Sequence, residues 1–241
     1  MKNILIISIL IAITLFVGCG KIVNPVFEDQ LVKVLNKNSK ADKWTCKLTG
    51  NPNLATAFVP KVNVDGENVV YHNSIIKEVH ATFENVRVDV KKQTIKSCDK
   101  ATANIIISDK EMSKIIQNNI STVKSPEVVA KDGAITIKGA IDVLSFDVNL
   151  EVTGNLTIEN GIDFMLIPSD FKIMRFGINI PNWSKDTISK IINPVFEIKN
   201  NEYGIYLDSL TYKKGYIEAT GEFDSVKVLE AFKEKNIKDK P

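Results

Sequence analysis

From residue 144 to 166 the chain alternates between apolar and polar positions with few interruptions. Leu144, Phe146, Val148, Leu150 and Val152 share one parity, and Leu156 and Ile158 carry it past Gly154. Asn160-Gly161 then suits a tight hairpin turn, and Ile162, Phe164 and Leu166 begin the return. A period of two predicts long antiparallel strands with one apolar face. The pattern recurs upstream. Asp132-Gly133 separates Val128-Val129 from Ile135–Ile137, and Asp65-Gly66 reads as a hairpin turn between Val62/Val64 and Val69–Tyr71. Val79, Ala81 and Phe83 share one parity, while Val86, Val88 and Val90 share the other. A bulge or turn is therefore expected at Glu84-Asn85. Ile105–Ile107 predict a short strand, and 203–207 and 216–223 two final ones.

Helical spacing is scarcer. Asn24-Pro25 suits a helix start, and Phe27, Leu31, Val34 and Leu35 predict a short amphipathic helix over 25–37. Ser108-Asp109-Lys110-Glu111 reads as a capping box opening a helix over 109–119, with Met112, Ile115, Ile116 and Ile120 on one stripe. Ser184 can cap a third helix that turns Ile188, Ile191 and Ile192 inward and ends at Pro194. A last short helix is expected within 224–235. Few helices remain to cover so much sheet, so the sheet must close on itself or on a ligand. The expected class is α+β and β-rich.

The first residues read as an address. Met1-Lys2 is a short positive start, and Ile4–Val17 is apolar save for Ser8 and Thr14. That length suits a signal segment and is short for a bilayer-spanning helix. The run ends Phe16-Val17-Gly18-Cys19, which resembles a bacterial lipobox, with Phe16 where Leu is usual. The resemblance implies that 1–18 is a lipoprotein signal peptide and that the Cys19 thiol receives a diacylglyceryl group. Several acyl chains would anchor the protein lastingly to a membrane of the cell envelope, facing the periplasm or exterior. Gly20 is not the aspartate of an inner-membrane retention signal, which mildly favours an outer membrane where one exists. Residues 19–24 form a tether, 25–232 one domain, and 233–241 a charged tail.

Composition narrows the chemistry. Hydrophobic residues make up 44%, charged residues 25%, and the net charge is +2, an ordinary balance for a folded protein. Only two cations are Arg, Arg87 and Arg175, so a nucleic-acid partner is not expected. The sequence contains no GxSxG, HExxH, EF-hand loop, GxxxxGK or strand-linked GxGxxG. His72 and His80 lie outside any triad context. No catalytic residue, metal ligand or cofactor is expected, and the protein reads as a non-enzyme. Outside the cytosol, Cys46 and Cys98 could close a disulfide loop of about 50 residues worth a few kcal/mol. Two separate buried thiols fit the sequence equally well.

The apolar stripes also have two readings: ordinary core packing, or the wall of a lipid cavity. A resemblance bears on the choice. The stretches VHATFENVRVDV at 79–90, ATANIIISDKEMSKIIQNNI at 101–120 and DGAITIKGAIDVLSFDVNLEVTGNLTIENG at 132–161 resemble the LmeA-like family of exported bacterial phospholipid-binding proteins. So do 176–181 and the strands within 204–223. The resemblance covers about two-thirds of the chain. It implies a tubular lipid-binding-like fold: a strongly curved antiparallel sheet or elongated barrel wrapped on short helices with an apolar groove. The implied activity is binding of a phospholipid or another acyl lipid for transfer or envelope maintenance. Each buried CH₂ is worth ~0.8 kcal/mol, so an aliphatic groove needs no special chemistry. The candidate lining is Phe146, Val148, Leu150, Phe164, Leu166 and Ile178, with Trp183, Ile188 and Ile192 as a lip. The alternative is a structural or assembly lipoprotein of the envelope that binds protein partners.

Overall fold

The computed structural model describes residues 28–29, 31–33, 35–36, 39–50, 53, 56–71, 74–89, 94–143, 146–174, 185–197, 204–224 and 227. The fold is α+β and β-rich, with few short helices and a strongly curled antiparallel sheet, as the period-two pattern predicts. Contacts group the chain into two compact units, where the sequence suggests one domain. The first holds Met1–Ile105, Asn201–Tyr206 and Thr220–Pro241; the second holds Ile106–Asn200 and Leu207–Ala219.

In the first unit, helix α1 lies within 28–36 and buries Leu31 and Leu35. β1 (Lys43–Thr49), β2 (Phe58–Tyr71) and β3 (Ser74–Asp89) follow as an antiparallel meander, and β4 (Thr94–Ser97) pairs with β3. β5 (Lys100–Ser108) continues the sheet beside β3. The Glu28 carboxylate accepts the Leu48 N–H at 2.7 Å, which ties α1 to the edge strand. Trp44, Cys46 and Leu48 alternate inward along β1 and pack with Val59, Val62, Val64, Phe83 and Val86.

Two expectations meet different outcomes here. Asp65-Gly66 is not a turn. Gly66 sits in the middle of β2, opposite Trp44 on one side and Val79 on the other. A Cβ on Gly66 would meet the Trp44 ring at 2.4 Å, so this glycine serves close approach rather than reversal. The hairpin lies further on, where Tyr71 pairs with Ser74. At Asn85 the parity switches without the expected bulge or turn: β3 runs on, the Asn85 φ is 53°, and the buried positions pass from Phe83 to Val86. The facing strand switches with it, from Val62 to Val59, so the pairing register survives.

The second unit opens with α2 (Asp109–Asn119), capped as the sequence indicates: Ser108 Oγ accepts the Glu111 N–H at 3.3 Å. β6 (Val123–Lys131), β7 (Ala134–Val143), β8 (Phe146–Glu159) and β9 (Asp163–Met174) form a meander, with β10 (Phe196–Glu197) on its far edge. Their turns fall at Asp132-Gly133 and Asn160-Gly161, with positive φ at Gly133, Asn160 and Gly161. The register of β8 on β9 shifts at Thr153/Gly154, and a Cβ on Gly154 would sit 2.2 Å from the Ile167 carbonyl oxygen. α2 also covers the outer edge of β6. Asp109 Oδ1 accepts the Ala130 N–H at 3.0 Å, and Ser113 Oγ accepts the Val128 N–H at 2.8 Å. Those N–H groups would otherwise invite a foreign strand. α3 (Lys185–Ile192) packs against β9. The last hairpin is β11 (Ile205–Lys213) and β12 (Tyr216–Phe223), whose residues belong partly to each unit.

Candidate functional site

The apolar stripe of the second unit forms where predicted, but it is filled. Val148, Leu150, Phe164, Leu166 and Ile192 are all buried. Leu166 pairs across from Leu156, and Phe164 from Ile158. The Phe164 and Phe196 rings lie 5.5 Å apart, tilted by 52°. Leu150 and Ile192 meet at one void, lined also by Val123, Ile137, Gly139, Ile141 and Val152. Its volume is about 10 Å³, at the lower limit for a single water and far below an acyl chain. Val148, Leu150, Phe164 and Leu166 are packed as core among the described residues, whereas Ile192 also lines a cleft with Ile120 and Pro194. Period two marks a face as apolar; whether another layer seals it depends on residues remote in sequence.

The remaining candidates divide differently. Phe146 opens β8 opposite Val143, and Ile188 lies on α3; their side chains are outside the described residues. Ile178, Trp183 and Cys19 lie outside them altogether, as do His72 and the 233–241 tail. Of the helix expected within 224–235, only Asp224 and Lys227 are described.

Cys46 and Cys98 are free and buried. Cys46 on β1 faces Val64 on β2, which faces Ala81 on β3, while the Cys98 thiol lies against the Glu84 carbonyl beside β3. Three strand spacings along the sheet come to about 14 Å, beyond the ~7 Å that a disulfide bridges. The disulfide alternative is thereby corrected to two separate thiols. Burial, with Asp65 and Glu28 nearby, pushes the Cys46 thiol up to about 12. Burial raises Cys98 too. Neither is activated as a nucleophile.

A different feature stands out in the second unit. A cleft of about 270 Å³ is lined by Asn119, Ile120, Ser121, Thr122, Ile192, Asn193, Pro194 and Glu197. Two helices end at its walls, α2 at Asn119 and α3 at Ile192. The Thr122 hydroxyl donates to the Ile191 carbonyl at 3.2 Å, joining the two ends. The Asn193 amide locks the floor: its Oδ1 accepts the Leu166 N–H at 2.7 Å, and its Nδ2 donates to the Leu166 carbonyl at 2.8 Å. Val195 N–H then donates to the Phe164 carbonyl at 2.9 Å, leading into β10 and Glu197. Spacing along the chain does not reveal this site, because its halves lie some 70 residues apart. The only local hint is that each half is a polar segment just after a helical stripe.

On the first unit's outer face, His80 Nδ1 lies 2.7 Å from Asp65 and its Nε2 3.5 Å from Glu78. The hydrogen bond to Asp65 holds the imidazole above its ordinary value. Among the described residues no group of three or more His, Cys, Asp or Glu is placed to hold a metal ion. None of the described helices is long and apolar enough to cross a membrane. No family model, curated protein or solved structure matches the chain.

Proposed function

We propose that this chain is an exported lipoprotein, anchored through Cys19 in the cell envelope, that works by binding rather than by catalysis. Its ligand in this reading is a phospholipid, taken for transfer or envelope maintenance and met through its headgroup at the cleft of the second unit. The carrying observation is the contrast between the filled stripe around Leu150 and Ile192 and the polar cleft a few residues away. The lipobox-like ending at Cys19 supports the anchor, and the curled antiparallel sheet suits the lipid-binding family that the sequence resembles.

The alternative, an assembly lipoprotein with protein partners, draws support from exposed apolar side chains. Val70 and Ile75 pair across the β2–β3 hairpin and both face solvent, and Ile167 is 57% exposed on β9.

Native mass spectrometry and lipid extraction on the full chain carrying Cys19→Ser test the proposal. Co-purified phospholipid near one per chain, or saturable uptake of added phospholipid, is the expected result. A protein that stays lipid-free and instead crosslinks to one envelope protein would replace the proposal with the alternative. Cys19→Ser is also expected to shift the chain from the membrane to the soluble fraction.

A further inference from the structure

Among the described residues that line the 270 Å³ cleft, Glu197 supplies the one charged side chain. The C-terminal ends of α2 and α3 both meet the cleft, and each contributes the negative end of a helix dipole. No basic residue lies in the last turn of α2, Lys190 lies in that of α3, and no Lys or Arg is among the described residues that line the cleft.

A second carboxylate adds to this. Glu197 on β10 pairs directly with Asp163 on β9. Directly paired side chains project from the same face of a sheet, where like charges repel. Asp163 Oδ2 accepts a hydrogen bond from Asn160 Nδ2 at 3.3 Å, whereas its Oδ1 is buried without a partner. Asp163 is not itself among the lining residues; its charge beside Glu197 strengthens the local preference for a cation.

The dimensions and lining select the kind of cation. A bare divalent ion wants six or more oxygens in a tight shell, and no such group is present among the described residues. The cleft is larger than that, and Ile120, Ile192 and Pro194 give it an apolar side. A short alkyl stem would lie against those three while the charged head meets Glu197. Ser121 and Asn119 also line the cleft, where a hydroxyl or phosphate oxygen beside the stem would find donors.

We infer that this cleft is a recognition site for a primary ammonium group on a short alkyl stem. Two sources carry that chemistry: a free small amine, and the amine headgroup of a phospholipid. The second rests on the proposed lipid-binding function; the first does not.

The test is an NMR titration of the full chain carrying Cys19→Ser. Ethanolamine is the soluble probe and ethylene glycol its uncharged control. Ethanolamine is expected to give saturable shifts in the amides of 119–122 and 192–197, and ethylene glycol none. Glu197→Gln is expected to weaken ethanolamine binding about tenfold or more, the loss of one charge-assisted hydrogen bond. Asp163→Asn gives a second variant in which the same affinity must fall. Vesicles of phosphatidylethanolamine with phosphatidylglycerol are then compared with vesicles in which phosphatidylcholine replaces the amine lipid. Preference for the first, lost in Glu197→Gln, places the ammonium on a lipid. Ethanolamine binding without that preference keeps the ammonium site and removes the headgroup reading. Absence of ethanolamine shifts, equal affinity in Glu197→Gln, or equal shifts with ethylene glycol would overturn the inference.

Discussion

Leu166 and Ile167 are neighbours on β9 with opposite fates: the first is 1% exposed, the second 57%. Truncating each to alanine asks directly whether the apolar stripe is a core or a binding wall. Leu166 packs opposite Leu156, and its backbone is clamped on both sides by the Asn193 amide. That clamp leaves the strand little freedom to move into a new hole, so Leu166→Ala should keep most of its cavity. The expected cost is about 3 kcal/mol, inside the usual range for a buried Leu→Ala change. For a chain of this size that is a fall in Tm of about 6–12 °C. Ile167→Ala removes a larger exposed area but opens no cavity, and should cost about 1 kcal/mol or less. Thermal unfolding followed by circular dichroism measures both. The reasoning fails if Leu166→Ala costs no more than Ile167→Ala. It fails equally if Leu166→Ala leaves stability intact while abolishing acyl-lipid uptake, because the stripe would then line a cavity.

The Gly66→Ala substitution should destabilise by about 1–3 kcal/mol through overpacking on Trp44, and by clearly less in a Trp44→Leu background; an unchanged penalty in that background would return Gly66 to a conformational role. An NMR titration of His80 should give a pKa above its ordinary ~6.5, and Asp65→Asn should lower it. Because the folded value is raised, the stability His80 contributes is complete below about pH 6.5 and is lost as pH rises through the folded pKa. His80→Gln should therefore differ from the parent most in acid, and a difference that grows toward alkaline pH contradicts the pairing. Cys46 and Cys98 should resist thiol reagents in the folded protein and both react in urea; the loss of both reactive thiols in urea until a reductant is added would mean a disulfide after all.

Much of the second unit was legible from residues alone. The turns at Asp132-Gly133 and Asn160-Gly161, the capping box at Ser108–Glu111 and the alternation along β8 are decided within a few residues of chain. So is the parity switch near Asn85, since a reversal of facing needs only a local change of backbone. Asp65-Gly66 shows the limit of the same logic. Its dipeptide suits a tight turn, but pairing with both neighbouring strands and the Trp44 ring over Gly66 keep β2 extended through it.

Periodicity fixed which faces are apolar; it carried no information on what covers them. Whether Leu150 and Leu166 meet a lipid or another side chain was decided by α3 and β7 arriving from elsewhere in the chain. The separation of Cys46 from Cys98 was likewise set by strand order, which no spacing records. The cleft depends on tertiary structure most of all. Two helix ends and a two-residue strand become one cleft only when segments some 70 residues apart are packed together, because contact and charge act through space and not along the chain.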